Sequence, residues 1–281
     1  ASATMALAAD YTRVEQRTKA SAIIGASIGV SFALALVLGP VLAAWGGLPR
    51  VFEVTAVMGG LGLMVVLFWL PATPQRSDAG RAHIADRDRL GEALWGRGLG
   101  ILYASIFCLH LLLMAAFTAI PSVMTDQVGL DPAHHAWLYL VTLCGALPGV
   151  AVLVRRRGQA EDPRTLIMVT IILTVVGLIA ALWSVSLALL GLGLVLFFIG
   201  FTALETILPA LVSIFAPASL RGTAMGIFSS AQFLGVFTGG ALGGNALHFG
   251  GALGLVGVLM ALTLLWLGAV WRFGRAPSVA Y

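Results

Sequence analysis

Glu205, His110 and Gln232 each stand inside a long apolar run, where a carboxyl, an imidazole and a carboxamide need a physical reason to be. An ionised acid in such a run costs roughly 2.5 to 3.5 kcal/mol on membrane-insertion scales, so it either carries a proton or is held by hydrogen bonds between helices. Glu205 is the only carboxyl well inside a run. Pro209, four residues on, cannot donate to the carbonyl of Glu205, which predicts a kink there. His110 lies near the centre of its run and is able to exchange a proton near neutral pH or to serve as a hydrogen-bonded packing residue. Gln232 has both donors and acceptors, suited to gripping a polar solute or bridging two helices. Proton exchange and polar contact are the chemistry available to this set.

Other chemistries lack their residues. The sole lysine, Lys19, is followed by Ala20, so there is no Walker A phosphate loop. The five histidines form no H-E-x-x-H pair and predict no metal site. Cys108 and Cys144 both fall inside apolar runs and imply no disulfide framework. No cofactor is expected, and enzyme readings find no support. A channel would show a filter loop or rings of like residues, and neither is visible.

The elements that must hold these residues follow from composition. Of 281 residues, 59% are hydrophobic and 10% charged, against roughly a quarter charged in a soluble domain. The apolar runs are mostly about 18 to 25 residues long, enough to cross a hydrocarbon layer roughly 30 Å thick. They are continuous rather than alternating, which favours helices over barrel strands. A partial span is expected at Ala1–Ala9, then spans near Ala20–Trp45, Val51–Leu70 and Leu99–Ile120. Five more fall near Trp137–Val154, Thr165–Trp183, Leu187–Phe215, Thr223–Leu247 and Gly250–Val270. The chain is thus an all-α membrane protein whose first partner is the lipid bilayer.

Placing the 16 Lys and Arg on alternating sides of those spans puts Arg50 alone on one side and all the others on the opposite side. By the positive-inside rule the crowded side, with the C-terminus, faces the cytoplasm. The formal charge of +4 sits in short loops between spans, so retention at the cytoplasmic face accounts for it and nucleic acid is not an expected partner. The break at residues 71–98 reads as a cytoplasmic linker, with a possible interfacial helix over Asp86–Trp95 that presents Leu90, Leu94 and Trp95 on one side.

Shifting the chain by 204 positions lays Arg17 on Arg221, Ala20 on Ala224, Ile23 on Ile227 and Gly39-Pro40 on Gly243-Gly244. In both places a basic loop leads into a glycine-rich span, a short outward loop and a plain apolar span. Parallel repeats of this kind are an architecture of the major facilitator superfamily. The stretch Arg17-Thr-Lys-Ala20 with Gly25, Gly29 and Gly39-Pro40 resembles the fifth helix of that superfamily's proton-coupled exporters, where Gly-Pro marks the antiporter motif. Closer still, residues 22–29, residues 108–114, and residues 222–226 with their continuation through 230–235 resemble the YajR-like branch of bacterial inner-membrane transporters. Where the exporters' motif continues with glycines, this chain has Ala43-Ala44.

The resemblance implies a twelve-helix carrier of which this chain is the later part, with about 110 residues ahead of Ala1 carrying helices one to three and most of four. Residues 1–70 would then be the end of helix four with helices five and six of the first bundle. Residues 71–98 would be the linker, and 99–281 the second six-helix bundle with a short tail. It further implies a bacterial inner-membrane protein, monomeric at full length, that moves a small organic molecule by alternating access. Proton-coupled efflux is the direction it suggests, with uptake or facilitated permeation as the alternatives.

Polar side chains report which spans line a path. Ser27 and Ser31, then Ser105, His110 and Thr118, then Thr202, Glu205 and Thr206, and finally Ser229, Ser230 and Gln232 mark the second, fourth, seventh and eighth spans. The third, sixth and ninth are nearly all aliphatic and are expected on the lipid side. Gly235, Gly239 and Gly243 recur every four residues, which lets helix backbones approach closely or slide past one another. Gly39-Pro40 invites the same two readings. Glu53, beside Arg50 and after Pro49, is expected at an outer helix end rather than in a path.

Overall fold

The computed structural model describes residues 17–69, 91, 93–157, 163–217 and 220–273. The partial span at Ala1–Ala9, residues 71–90 of the linker with the start of the Asp86–Trp95 segment, and the C-terminal tail lie outside the described residues. Every regular element among those residues is helical: α1 Arg17–Trp69, α2 Leu99–Phe117, α3 Ile120–Ser122, α4 His135–Arg157, α5 Pro163–Leu182, α6 Leu187–Phe215 and α7 Arg221–Phe273. A π-helical turn, Val123–Gln127, follows α3, and a short 3-10 turn, Pro132–His134, leads into α4.

At 53 residues each, α1 and α7 would be about 80 Å long if straight, far more than one hydrocarbon thickness. Both fold back. In α1 the backbone leaves helical geometry at Gly46 and Gly47, and in α7 at Gly251. Gly47 has φ 68° and ψ −169°, and Gly251 has φ 58° and ψ −158°, a region that only glycine enters without strain. These two positions are 204 residues apart, the same shift as the internal repeat. Each long helix is therefore two helical segments joined at glycine, and among the described residues six stretches are long and apolar enough to cross a membrane: Val41–Trp69, Leu99–Gln127, Pro132–Arg155, Arg164–Leu182, Leu187–Phe215 and Arg221–Arg272. Arg50 stacks over Trp45 at 4.7 Å and pairs with Glu53 at 2.7 Å, which fixes the first hinge and places Glu53 at an exposed helix end.

The core is the packing of α2 with α7 and of α5 with α6, with α4 laid on α6. Leu99, Ile106, Leu109 and Leu112 of α2, Ile171 and Leu178 of α5, and Leu194, Phe197 and Phe198 of α6 are fully buried or nearly so. α5 and α6 meet backbone to backbone, because a Cβ on Gly177 would overlap Phe197 and one on Gly193 would overlap Ala181. The second half of α7 buries one stripe, Leu255, Leu259, Thr263, Trp266 and Val270, at the spacing of a single helix face. α6 continues as a helix through Pro209 and α1 through Gly39-Pro40.

Basic residues gather at one end. Arg164, opening α5, donates to the Trp271 carbonyl near the end of α7 at 3.1 Å, and Arg221, opening α7, donates to the Ser213 carbonyl near the end of α6 at 2.9 Å. Each satisfies a carbonyl of a helix's last turn and sets a cation against the negative end of its dipole.

Candidate functional site

Three helices converge on one imidazole. His110 of α2 is 8% exposed, and its Nδ1 lies 3.2 Å from the Ile106 carbonyl one turn back on the same helix. A carbonyl only accepts, so Nδ1 carries the hydrogen, and in the neutral ring Nε2 is the acceptor. The side-chain nitrogen of Gln232, on α7, is 2.9 Å from Nε2 and donates to it. Glu205, on α6, brings Oε1 to 3.4 Å from that same Nε2, and among the described residues this oxygen is buried with no hydrogen-bond partner. The Glu205 side chain as a whole is a third exposed in this chain, and atoms other than Oε1 account for that exposure. Phe201, one turn before Glu205, tilts its ring against the imidazole at 5.6 Å.

The glycines of α7 make this meeting possible. Gly235, Gly239 and Gly243 lie on one face with Gln232, and a Cβ on any of the three would overlap the backbone of α2 at Phe107, Leu111 or Ala115 in turn. The two helices thus touch backbone to backbone over about 12 Å, close enough for a carboxamide to reach across. A second link holds the other half of α7: Trp266 donates to Ser105 Oγ at 3.0 Å, and Ser105 in turn donates to the Ile101 carbonyl at 2.7 Å.

The remaining polar residues have other surroundings. Thr206 is exposed and donates to the Thr202 carbonyl at 2.9 Å, and Ser230 is exposed on α7. Thr118 donates to the Ala115 carbonyl at the point where α2 ends. Ser27 and Ser31 are exposed on α1. Gly25, Gly29, Gly39 and Pro40 all lie in α1, whose main contact with the bundle is α4, and a Cβ on Gly39 would meet nothing within 4 Å.

Sequence reasoning missed Phe201, the Ser105–Trp266 bond and the α5–α6 glycine contact. Phe201 was legible in principle, being one helical turn from Glu205. Ser105 and Trp266 are separated by 161 residues, and no local signal joins them.

The chain belongs to the Major Facilitator Superfamily, matching it over residues 1–240. Over its whole length it is 34% identical to the inner membrane transport protein YajR of Escherichia coli (strain K12), of which it covers 62%. Uncharacterized transporters of two Buchnera aphidicola subspecies are similar to it. That of Acyrthosiphon pisum is 27% identical over 84% of this chain and 60% of its own length. That of Baizongia pistaciae is 28% identical over 85% and 61%. The chain therefore spans about three-fifths of the length of these curated relatives. The superfamily consists of transporters, not enzymes.

Proposed function

We propose that this chain is the later part of a secondary transporter of a small organic molecule, and that Glu205 and His110 carry the proton that drives it. In this reading residues 99–281 form the second six-helix bundle, residues 1–70 the end of the first, and residues 71–98 the linker. The full-length protein acts as a monomer in a bacterial inner membrane, with its C-terminus in the cytoplasm. Export against an inward proton gradient is the proposed direction.

One observation carries the proposal: the carboxyl, the imidazole and the carboxamide, from three different apolar helices, meet at one nitrogen. A site made only for packing has no need to set an unpartnered carboxyl oxygen beside an imidazole. A group that exchanges a proton does need a second basic atom within reach, and Glu205 has one in His110 Nε2. Moving one proton onto the pair changes its charge from −1 to neutral. That change alters the cost of enclosing the pair away from water, which is the differential interaction that alternating access requires.

The test uses the full-length protein in everted membrane vesicles, with small organic solutes screened for proton movement followed by an acid-sensitive dye. The wild type is expected to show solute-evoked proton flux. Glu205→Gln is expected to abolish it while leaving membrane insertion and thermal unfolding unchanged. Unaltered proton-driven transport in that variant rules Glu205 out as the carrier.

A further inference from the structure

The lone pair on His110 Nε2 is contested. Gln232 reaches it at 2.9 Å from α7, and Glu205 Oε1 stands at 3.4 Å from α6. Among the described residues Glu205 is the only charged group within ionic contact of the ring, and the Phe201 ring of α6 and the Ile106 carbonyl of α2 also lie against it. With Nδ1–H committed to that carbonyl, a neutral ring offers one acceptor and no second donor. As long as the Gln232 amide donates into it, Glu205 has no hydrogen bond to make there, which accounts for the unpartnered Oε1.

We propose that Gln232 is a positioning residue that holds His110 in its Nδ1–H form and keeps Nε2 from Glu205 until a proton displaces it. This rests on the proton-carrying role proposed for the Glu205–His110 pair. When a proton from water reaches Nε2, a new N–H bond forms and the nitrogen changes from acceptor to donor. The Gln232 NH2 then faces another N–H and must turn away or present its oxygen. The bond passes to the Glu205 carboxylate, and the pair goes from a net charge of −1 to 0. The polar link from α2 is thereby exchanged, leaving α7 for α6. Because α7 is pressed against α2 along Gly235, Gly239 and Gly243, the exchange acts on two helices with no side chain between them to absorb a shift.

The experiment reads the imidazole directly and requires no solute. In the full-length protein in lipid nanodiscs, with every other histidine, His83, His134, His135 and His248 among them, replaced by Gln and His110 15N-labelled, the nitrogen shifts of neutral His110 distinguish its two tautomers. In the wild-type site the Nδ1–H form is expected in excess on the order of tenfold, the ratio set by one hydrogen bond of ordinary strength. Gln232→Leu removes the donor, and Gln232→Glu replaces it with an acceptor. Each is expected to shift neutral His110 toward the Nε2–H form, bonded to a carboxylate. Glu205→Gln is expected to leave the Nδ1–H form dominant. An Nε2–H tautomer in the wild-type site overturns the proposal whether or not the variants fold, and so does an Nδ1–H tautomer that persists in Gln232→Leu. Neither result bears on whether Glu205 carries a transported proton, which the vesicle assay decides.

Discussion

α1 and α7 are built to one plan and have opposite surroundings. Both run 53 residues, both turn back at a glycine with positive φ, and the two glycines are related by the same 204-residue shift that aligns their sequences. Yet the first half of α7 is pressed on α2 along three glycines, while the second half of α1, with the turn of helix leading into it, buries nothing in this chain: Leu48, Phe52, Leu61, Phe68 and Trp69 are all exposed. An apolar helix in a membrane does not need a protein partner to be stable, because lipid satisfies its side chains as well as leucine does. Close packing therefore reports a neighbour and not hydrophobicity.

The comparison is broken most directly at the repeat mates Gly243 and Gly39. A leucine at Gly243 has to displace the α2 backbone at Ala115, and Gly243→Leu is expected to destabilise the bundle by about 3 kcal/mol or to prevent its folding, read by thermal unfolding in detergent. A side chain at Gly39 meets open space in this chain, so Gly39→Leu is expected to stay within about 0.5 kcal/mol of wild type. An equal cost at both positions would mean that α1 packs as tightly as α7. If the first bundle packs on Gly39 in the full-length protein, the same substitution becomes costly there, and the difference between the two measurements sizes that contact.

The hinges give a smaller and more symmetrical effect. Gly47→Ala and Gly251→Ala each force a side chain into a backbone region open only to glycine, at a cost on the order of 1 to 3 kcal/mol. The two costs should agree, since the strain is local and burial differs. A large inequality would show that one hinge is held by its surroundings and not by its own geometry. Of the same small order is Trp266→Phe, which deletes the donor to Ser105. The lost bond should lower stability by about 0.6 kcal/mol, the average for a side-chain hydrogen bond between membrane helices, with the buried ring volume that is removed adding to it, and Ser105→Ala on top of it should add little.

The crossings were legible because each is a continuous apolar run of bilayer length between polar breaks, and a helix is the form in which a lone segment satisfies its own backbone in lipid. Glu205, His110 and Gln232 could each be singled out for the same reason, as polar groups where hydrocarbon surrounds them. Their convergence could not. His110 and Gln232 are 122 residues apart, and nothing in the sequence around either names the other. The Thr170 and Thr174 hydroxyls show the reverse case: in a span read as nearly aliphatic, both are fully buried and bonded to carbonyls of their own helix, three or four residues back.

The sequence by itself determined the helical class, the apolar stretches able to span a bilayer, the layout repeated at 204 residues, the two side chains able to take up a proton and the carboxamide able to bond to them, because each depends on local hydropathy and residue type. Only the tertiary structure decided that those three share one nitrogen, which of the two competitors holds it, and which glycines lie in a contact. These depend on how close two backbones come, and that distance is set by the shapes of both partners at once.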